Sequence, residues 1–172
     1  MLDDINRNSL DNSNNLNKQN AFAFQSVELD NEKKRVFIVH GHDDVLKNKI
    51  SSFLKKLNLI PIILHEQANK GKTIIEKLEH YTDVDYAIIL YTPCDIGGKR
   101  DDEPKFRARQ NVVFEHGYLM SKLGRENISV IKKNNIELPN DITGTVYVDG
   151  ESNWQFELIK ELKSAKFEIV AN

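Results

Sequence analysis

An α/β domain is what this chain predicts: a mainly parallel five-stranded sheet in flavodoxin-like winding, with helices on both faces. Three observations carry it. Short β-branched runs have almost no polar interruption, amphipathic stretches lie between them, and the loops that follow the first three runs are polar and rich in functional side chains. At 172 residues the length suits one domain with a core of its own.

The elements follow in order. "RVFIVH" from Arg35 has the composition of a strand covered on both faces. "DDVLKNKISSFLKKLNL" continues with helical spacing at Val45, Ile50, Phe53, Leu54 and Leu57. "IPIIL" (60–64) predicts a second strand, "GKTIIEKLEHY" (71–81) a second helix and "DYAIILYT" (85–92) a third strand. The stretch from Cys94 to Lys105, with Gly97 and Gly98, reads as polar and flexible. "QNVVFEHGYLMSKLG" (110–124) predicts a helix apolar on nearly every side, ended by Gly124 as its C-terminal cap. "NISVIKK" is strand four, "TGTVYVDG" a brief fifth, and "NWQFELIKELKSA" a closing helix with Trp154, Phe156, Leu158, Ile159 and Leu162 as its apolar set. Residues 1–33 lack periodicity and are rich in Asn, Asp and Ser, so they read as a flexible arm or linker ahead of a domain spanning 34–172.

Composition narrows the function. Lys and Arg number 24 against 26 Asp and Glu, a net charge of -2, and no stretch interleaves basic and aromatic residues as a nucleic-acid groove would. One cysteine, Cys94, excludes an internal disulfide framework, and five histidines without a second thiol offer no zinc-finger spacing. No apolar run approaches the roughly 20 residues that span a bilayer. The expectation is a cytoplasmic protein that binds neither nucleic acid nor membrane.

In a sheet of this winding the crevice lies beyond the carboxyl ends of the strands. Three loops are expected to meet there: "HGHDD" (40–44), "HEQANKGK" (65–72) and "TPCDIGGKRDDEPKFRARQ" (92–110). The last leads into the helix that carries one acid, Glu115, among Val112, Val113, Phe114, Tyr118 and Leu119. A charge beside apolar surface is costly unless it is paired, hydrogen-bonded or used. Packing requires an ion pair with Arg107, Arg109 or Lys122; use requires a crevice. Asn111, one turn earlier on the helix, is placed to orient the carboxylate.

"RVFIVHGHDD", "GKTIIEKLEHYTDVDYAIILYTPCD" and "ARQNVVFEHGYLMSKLGRENISVI" together resemble the bacterial TIR-like domains labelled predicted nucleotide-binding proteins, which are related to the TIR NADase effectors of antiphage systems. The likeness runs from about Lys34 to the C-terminus, and "RQNVVFEHG" is its most specific part. The resemblance implies a TIR fold, cleavage of the nicotinamide–ribose bond of NAD+ by an NAD+ glycohydrolase or ADP-ribosyl cyclase, and Glu115 as catalytic residue. It further implies substrate contacts at Gly41 and His42, and at Gln67, Gly71 and Lys72 in the loop known as BB. Beside these, Arg109 and Asn111 are candidates for compensating the carboxylate or holding ribose hydroxyls and phosphate, and Asp95 is a further candidate contact. NAD+ is substrate rather than cofactor, no metal is implied, and the expected partners are other TIR domains and a separate sensor or effector protein. The chain departs from many animal TIR enzymes in having Asn111 where a Trp precedes the glutamate, and no Arg pair after the first strand.

Other readings compete. A TIR interaction module without turnover is the alternative function. "HGHDD" as a metal site lacks further ligands, and "GKT" (71–73) has Glu66 where a Walker loop needs Gly. A receiver domain would use Asp43, Asp44 and Asp95 but leaves "RQNVVFEHG" without a role. Plainer assignments are a turn cap for Asp95, solvated or capping positions for His65, His80 and His116, and a small strand-end residue for Cys94.

Overall fold

The structure is a computed structural model that describes residues 34–67, 71, 73–139 and 147–169. The arm assigned to residues 1–33 therefore lies outside the described residues, as does Lys72. Five strands, β1 (Arg35–Val39), β2 (Ile60–Ile63), β3 (Tyr86–Tyr91), β6 (Ile128–Lys132) and β7 (Tyr147–Asp149), form one sheet in the order β2-β1-β3-β6-β7. Every neighbouring pair in it is parallel, so all its carboxyl ends share one edge.

The strands are continuous apolar runs because both faces are covered. Alternate residues go to opposite faces: Val36 and Ile38 join one buried cluster, Phe37 and Val39 the other. Helices α1 (Asp44–Lys56) and α4 (Trp154–Ser164) cover the first face through Ile50, Leu54, Leu158 and Leu162. Helices α2 (Ile74–Tyr81) and α3 (Gln110–Leu123) cover the second through Leu78, Val112 and Leu119. Local signals set the helix ends. Asp43 caps α1 by accepting from the Leu46 N–H at 2.9 Å, and Thr73 and Glu76 form a capping box on α2. Gly124 ends α3 at φ 81°, the predicted cap.

Three expectations change. The stretch read as flexible between Cys94 and Lys105 contains an antiparallel hairpin of β4 (Asp95–Gly97) and β5 (Lys105–Arg107), with the connection between them at 98–104. Its strands are too short to give a period-2 signal, and main-chain pairing with the segment after β6 holds it: the Glu137 N–H donates to the Phe106 carbonyl at 2.8 Å. Val45 is 64% exposed and Leu46 takes the inward place, because the helix begins at Asp44 and Leu46, Ile50 and Leu54 then share one stripe. Phe156, assigned to the apolar face of α4, is 53% exposed and lies under the Lys160 ammonium instead.

Candidate functional site

α3 carries Glu115 in the turn that packs on the end of β3. The Tyr91 hydroxyl, on the last residue of β3, shares a hydrogen bond of 3.1 Å with His116 Nδ1, which fixes that turn of the helix over the carboxyl end of the central strand. Val112 and Leu119 are buried in the face beneath, and Glu115 stands between them on the same side of the helix, 6% exposed. Apolar surroundings without a compensating charge push its carboxyl up to about 7.

Among the described residues the ion pair expected of a packing residue is absent. Arg107 pairs through Nε with Glu137, Arg109 donates from Nη1 to His42 Nε2 at 2.7 Å, and Lys122 donates to the Thr82 hydroxyl at 2.8 Å. All three candidate cations are committed elsewhere, and Glu115 makes no hydrogen bond or ion pair with any described residue. Asn111 is exposed one turn away and does not bond to it.

Two predicted loops do meet. Gly41 and His42, after β1, sit against Cys94, after β3: the His42 N–H donates to Cys94 Sγ at 3.2 Å, and Thr92 Oγ1 lies 3.3 Å from the same sulfur. A Cβ on Gly41 would lie 2.3 Å from that sulfur, so only glycine permits the approach. Across this contact Arg109 reaches His42. A guanidinium only donates, so Nε2 is the acceptor and the ring proton is on Nδ1. Asp43 also pairs with Lys133 at 3.0 Å. Burial acts to raise its pKa, and the Leu46 N–H and the Lys133 ammonium outweigh that and hold it below the ordinary carboxylate range.

The remaining predicted residues are dispersed. Gln67 is half-buried and donates from Nε2 to the Ile63 carbonyl at 3.2 Å, at the end of β2. Gly71 is exposed at φ 73°, a conformation that favours glycine. Asp95 opens β4 and, with Tyr91, Arg107, Gln110 and Val113, lines a cleft of about 500 Å³. At 3.6 residues per turn Val113 and Glu115 are about 160° apart around α3, so this cleft and the carboxylate occupy opposite flanks of the helix. Asp95 and Glu115 are thus not brought together.

His116 corrects the sequence reading. It is 0% exposed, not solvated or capping, and burial pushes it down to about 4. Its Nε2 has no hydrogen-bond partner among the described residues. The signal was present: 112, 116 and 119 are spaced as one inward stripe. Cys94 lies just past β3, as expected of a small strand-end residue, and its contact with Gly41 has no trace in local spacing.

The family described as CAP12/Pycsar effector protein, TIR domain, matches residues 35–152. The Escherichia coli (strain K12) protein YuaY, which carries the description uncharacterized, is 41% identical over 136 residues, covering 77% of this chain and 46% of its own length. Protein tirC of Dictyostelium discoideum is 38% identical over 131 residues, covering 69% of this chain and 65% of its own. The chain thus spans between about half and two thirds of the curated relatives it matches.

Proposed function

Since the chain belongs to the TIR domain family of CAP12/Pycsar effector proteins, we propose that it cleaves the nicotinamide–ribose bond of NAD+, as a glycohydrolase or ADP-ribosyl cyclase, in antiphage defence. One observation carries this reading: Glu115 is a buried carboxyl next to His116, whose ring bonds to the last residue of β3, and the cations that would make it structural are otherwise engaged.

The chemistry asks little more of the protein. Nicotinamide leaves from NAD+ as a neutral ring, so no general acid is needed to protonate it. Positive charge develops on the ribose, and a carboxylate offsets it through space or traps the sugar covalently, as in glycoside hydrolysis. Apolar surroundings strengthen that electrostatic effect. Water as the final acceptor yields ADP-ribose; an internal nucleophile yields a cyclic product. His42 and Arg109 hold the part of the substrate that does not react, and Gln67, Gly71, Lys72 and Asn111 complete the proposed contact set; Asp95, in the cleft on the other flank of α3, falls outside it. Family membership also supports self-association through TIR–TIR contacts and a separate sensor or effector partner.

The purified chain incubated with NAD+ is expected to release nicotinamide, with Glu115→Gln at least about 100-fold slower, the scale for loss of a charge-stabilising group. Because only the ionised carboxyl acts, the rate rises with pH through about 7. No nicotinamide at high protein concentration and under crowding would leave the non-catalytic interaction module as the reading.

A further inference from the structure

A smaller pocket of about 200 Å³ lies at the tips of β1, β3 and β6, lined by His42, Asp43, Thr92, Cys94, Lys133 and Asn134, with Pro93 at its side. Pockets that enclose a whole cofactor run from roughly 300 Å³ upward. This one has room for a single compact group with a few waters.

Its lining is arranged around cationic and hydrogen-bond-donating groups. Lys133 follows β6, and its backbone N–H donates to the Tyr91 carbonyl at 3.0 Å, so the residue is pinned beside the end of β3. Asn134 then turns the chain at φ 60°, in the left-handed region that Asn tolerates. The Lys133 ammonium gives Asp43 one contact, at 3.0 Å, and it has three N–H donors. Arg109, which does not line the pocket, spends one donor on His42, which retains its Nδ1 proton. The acid in the lining, Asp43, is already occupied by the Leu46 N–H and by Lys133, and its neighbour Asp44 pairs with Lys47 at 2.9 Å. The Asn134 amide faces the Glu151 carboxylate, so an anion entering here meets the spare Lys133 donors and the Thr92 hydroxyl rather than Asn134.

We infer that this strand-tip pocket binds a phosphate group of a nucleoside diphosphate or dinucleotide, with Lys133 as the residue that contacts it and Asp43 as the counter-ion that holds Lys133 in reserve. The assignment of that phosphate to NAD+ rests on the function proposed above; the anion site itself does not. Lys133 lies outside the set of residues that sequence and family resemblance supplied, and Asp43 has two tasks, capping α1 and competing with the ligand for the ammonium.

Those two tasks give variants with opposite signs. Titration calorimetry with ADP and with adenosine is the measurement. Lys133→Met is expected to weaken ADP roughly tenfold and to leave adenosine unchanged, since one charge-assisted contact is lost. Asp43→Asn keeps a good helix cap and frees the ammonium, so ADP is expected to bind about threefold more tightly. In turnover, Lys133→Met raises KM for NAD+ with kcat little changed. A merely structural Lys133 would move adenosine and kcat as well, and Lys133→Gln, of similar length and able to hydrogen-bond, replaces Met if the first variant is unfolded. Equal ADP affinity in wild type and Lys133→Met, weaker ADP binding by Asp43→Asn, or no ADP binding by the wild type overturns the inference. If ADP follows the expected pattern and nicotinamide is never released, the anion site stands and the NADase reading falls.

Discussion

Glu115 places stability and activity in opposition. Its carboxyl titrates ordinarily at 4.5 and is pushed up to about 7 by burial, so the neutral acid is the form that the fold prefers. The stability it contributes is fully present below pH 4.5 and is lost as pH rises through about 7, while the ionised form required by the proposed chemistry appears over the same interval. Glu115→Gln, neutral at every pH, is therefore expected to unfold at higher denaturant than wild type at pH 8, by roughly 2–3 kcal/mol, and to match it near pH 4. Equal stability of the two at pH 8 would mean that the carboxylate is not desolvated. His116 runs the other way. Its imidazole is pushed down to about 4, so the stability of its neutral form is present above pH 6.5 and lost as pH falls toward 4. The acid and its buried neighbour thus set a lower limit: a folded, ionised site requires a pH of about 7 or above. Sequence made Glu115 conspicuous as the acid among Val112, Val113 and Phe114. It did not reveal that Arg107, Arg109 and Lys122 have other partners, because Glu137, His42 and Thr82 lie 30, 67 and 40 positions away from them.

At the level of elements, the turn after β1 is held by a residue from the turn after β3. Gly41 and Cys94 are packed so closely that a methyl group between them has no space. Gly41→Ala is expected to cost about 1–3 kcal/mol in denaturant unfolding and to displace His42 from Arg109, raising KM for NAD+. Adding Cys94→Ala removes the sulfur that the new methyl meets, so the double variant is expected to recover stability relative to Gly41→Ala. A double variant no more stable than the single would place the strain elsewhere. The hairpin of β4 and β5 is a different kind of element. It is antiparallel, three residues to a strand, and joined to the segment after β6 by the Arg107–Glu137 pair and the Glu137 N–H. Exposed pairs of this sort contribute little each, so main-chain pairing and packing carry its placement.

Across the whole molecule, protection is expected to fall from the centre of the sheet outward. β3 is buried at all six residues and paired on both sides, and Tyr86 shares a buried 2.7 Å hydrogen bond with Ser129 on β6. Hydrogen exchange is expected to be slowest at Ile88–Leu90 and much faster across Asp95–Arg107, whose opening leaves the sheet intact. Equal protection of the two would make the hairpin part of the cooperative core. Among the described residues no helix is long and apolar enough to cross a membrane.

The alternation of β-branched runs and amphipathic stretches was enough to determine five strands, four helices and the parallel sheet. A strand buried on both faces and a helix with one apolar stripe each carry their environment in their own residues. The motif around Glu115 was equally local. Tertiary structure alone decided which cations were free to neutralise that acid, that the 500 Å³ cleft lies on the opposite flank of α3, and that Lys133 joins His42 at a pocket. These are relations between side chains far apart in the chain, set by the order β2-β1-β3-β6-β7, and no short-range periodicity encodes a partner.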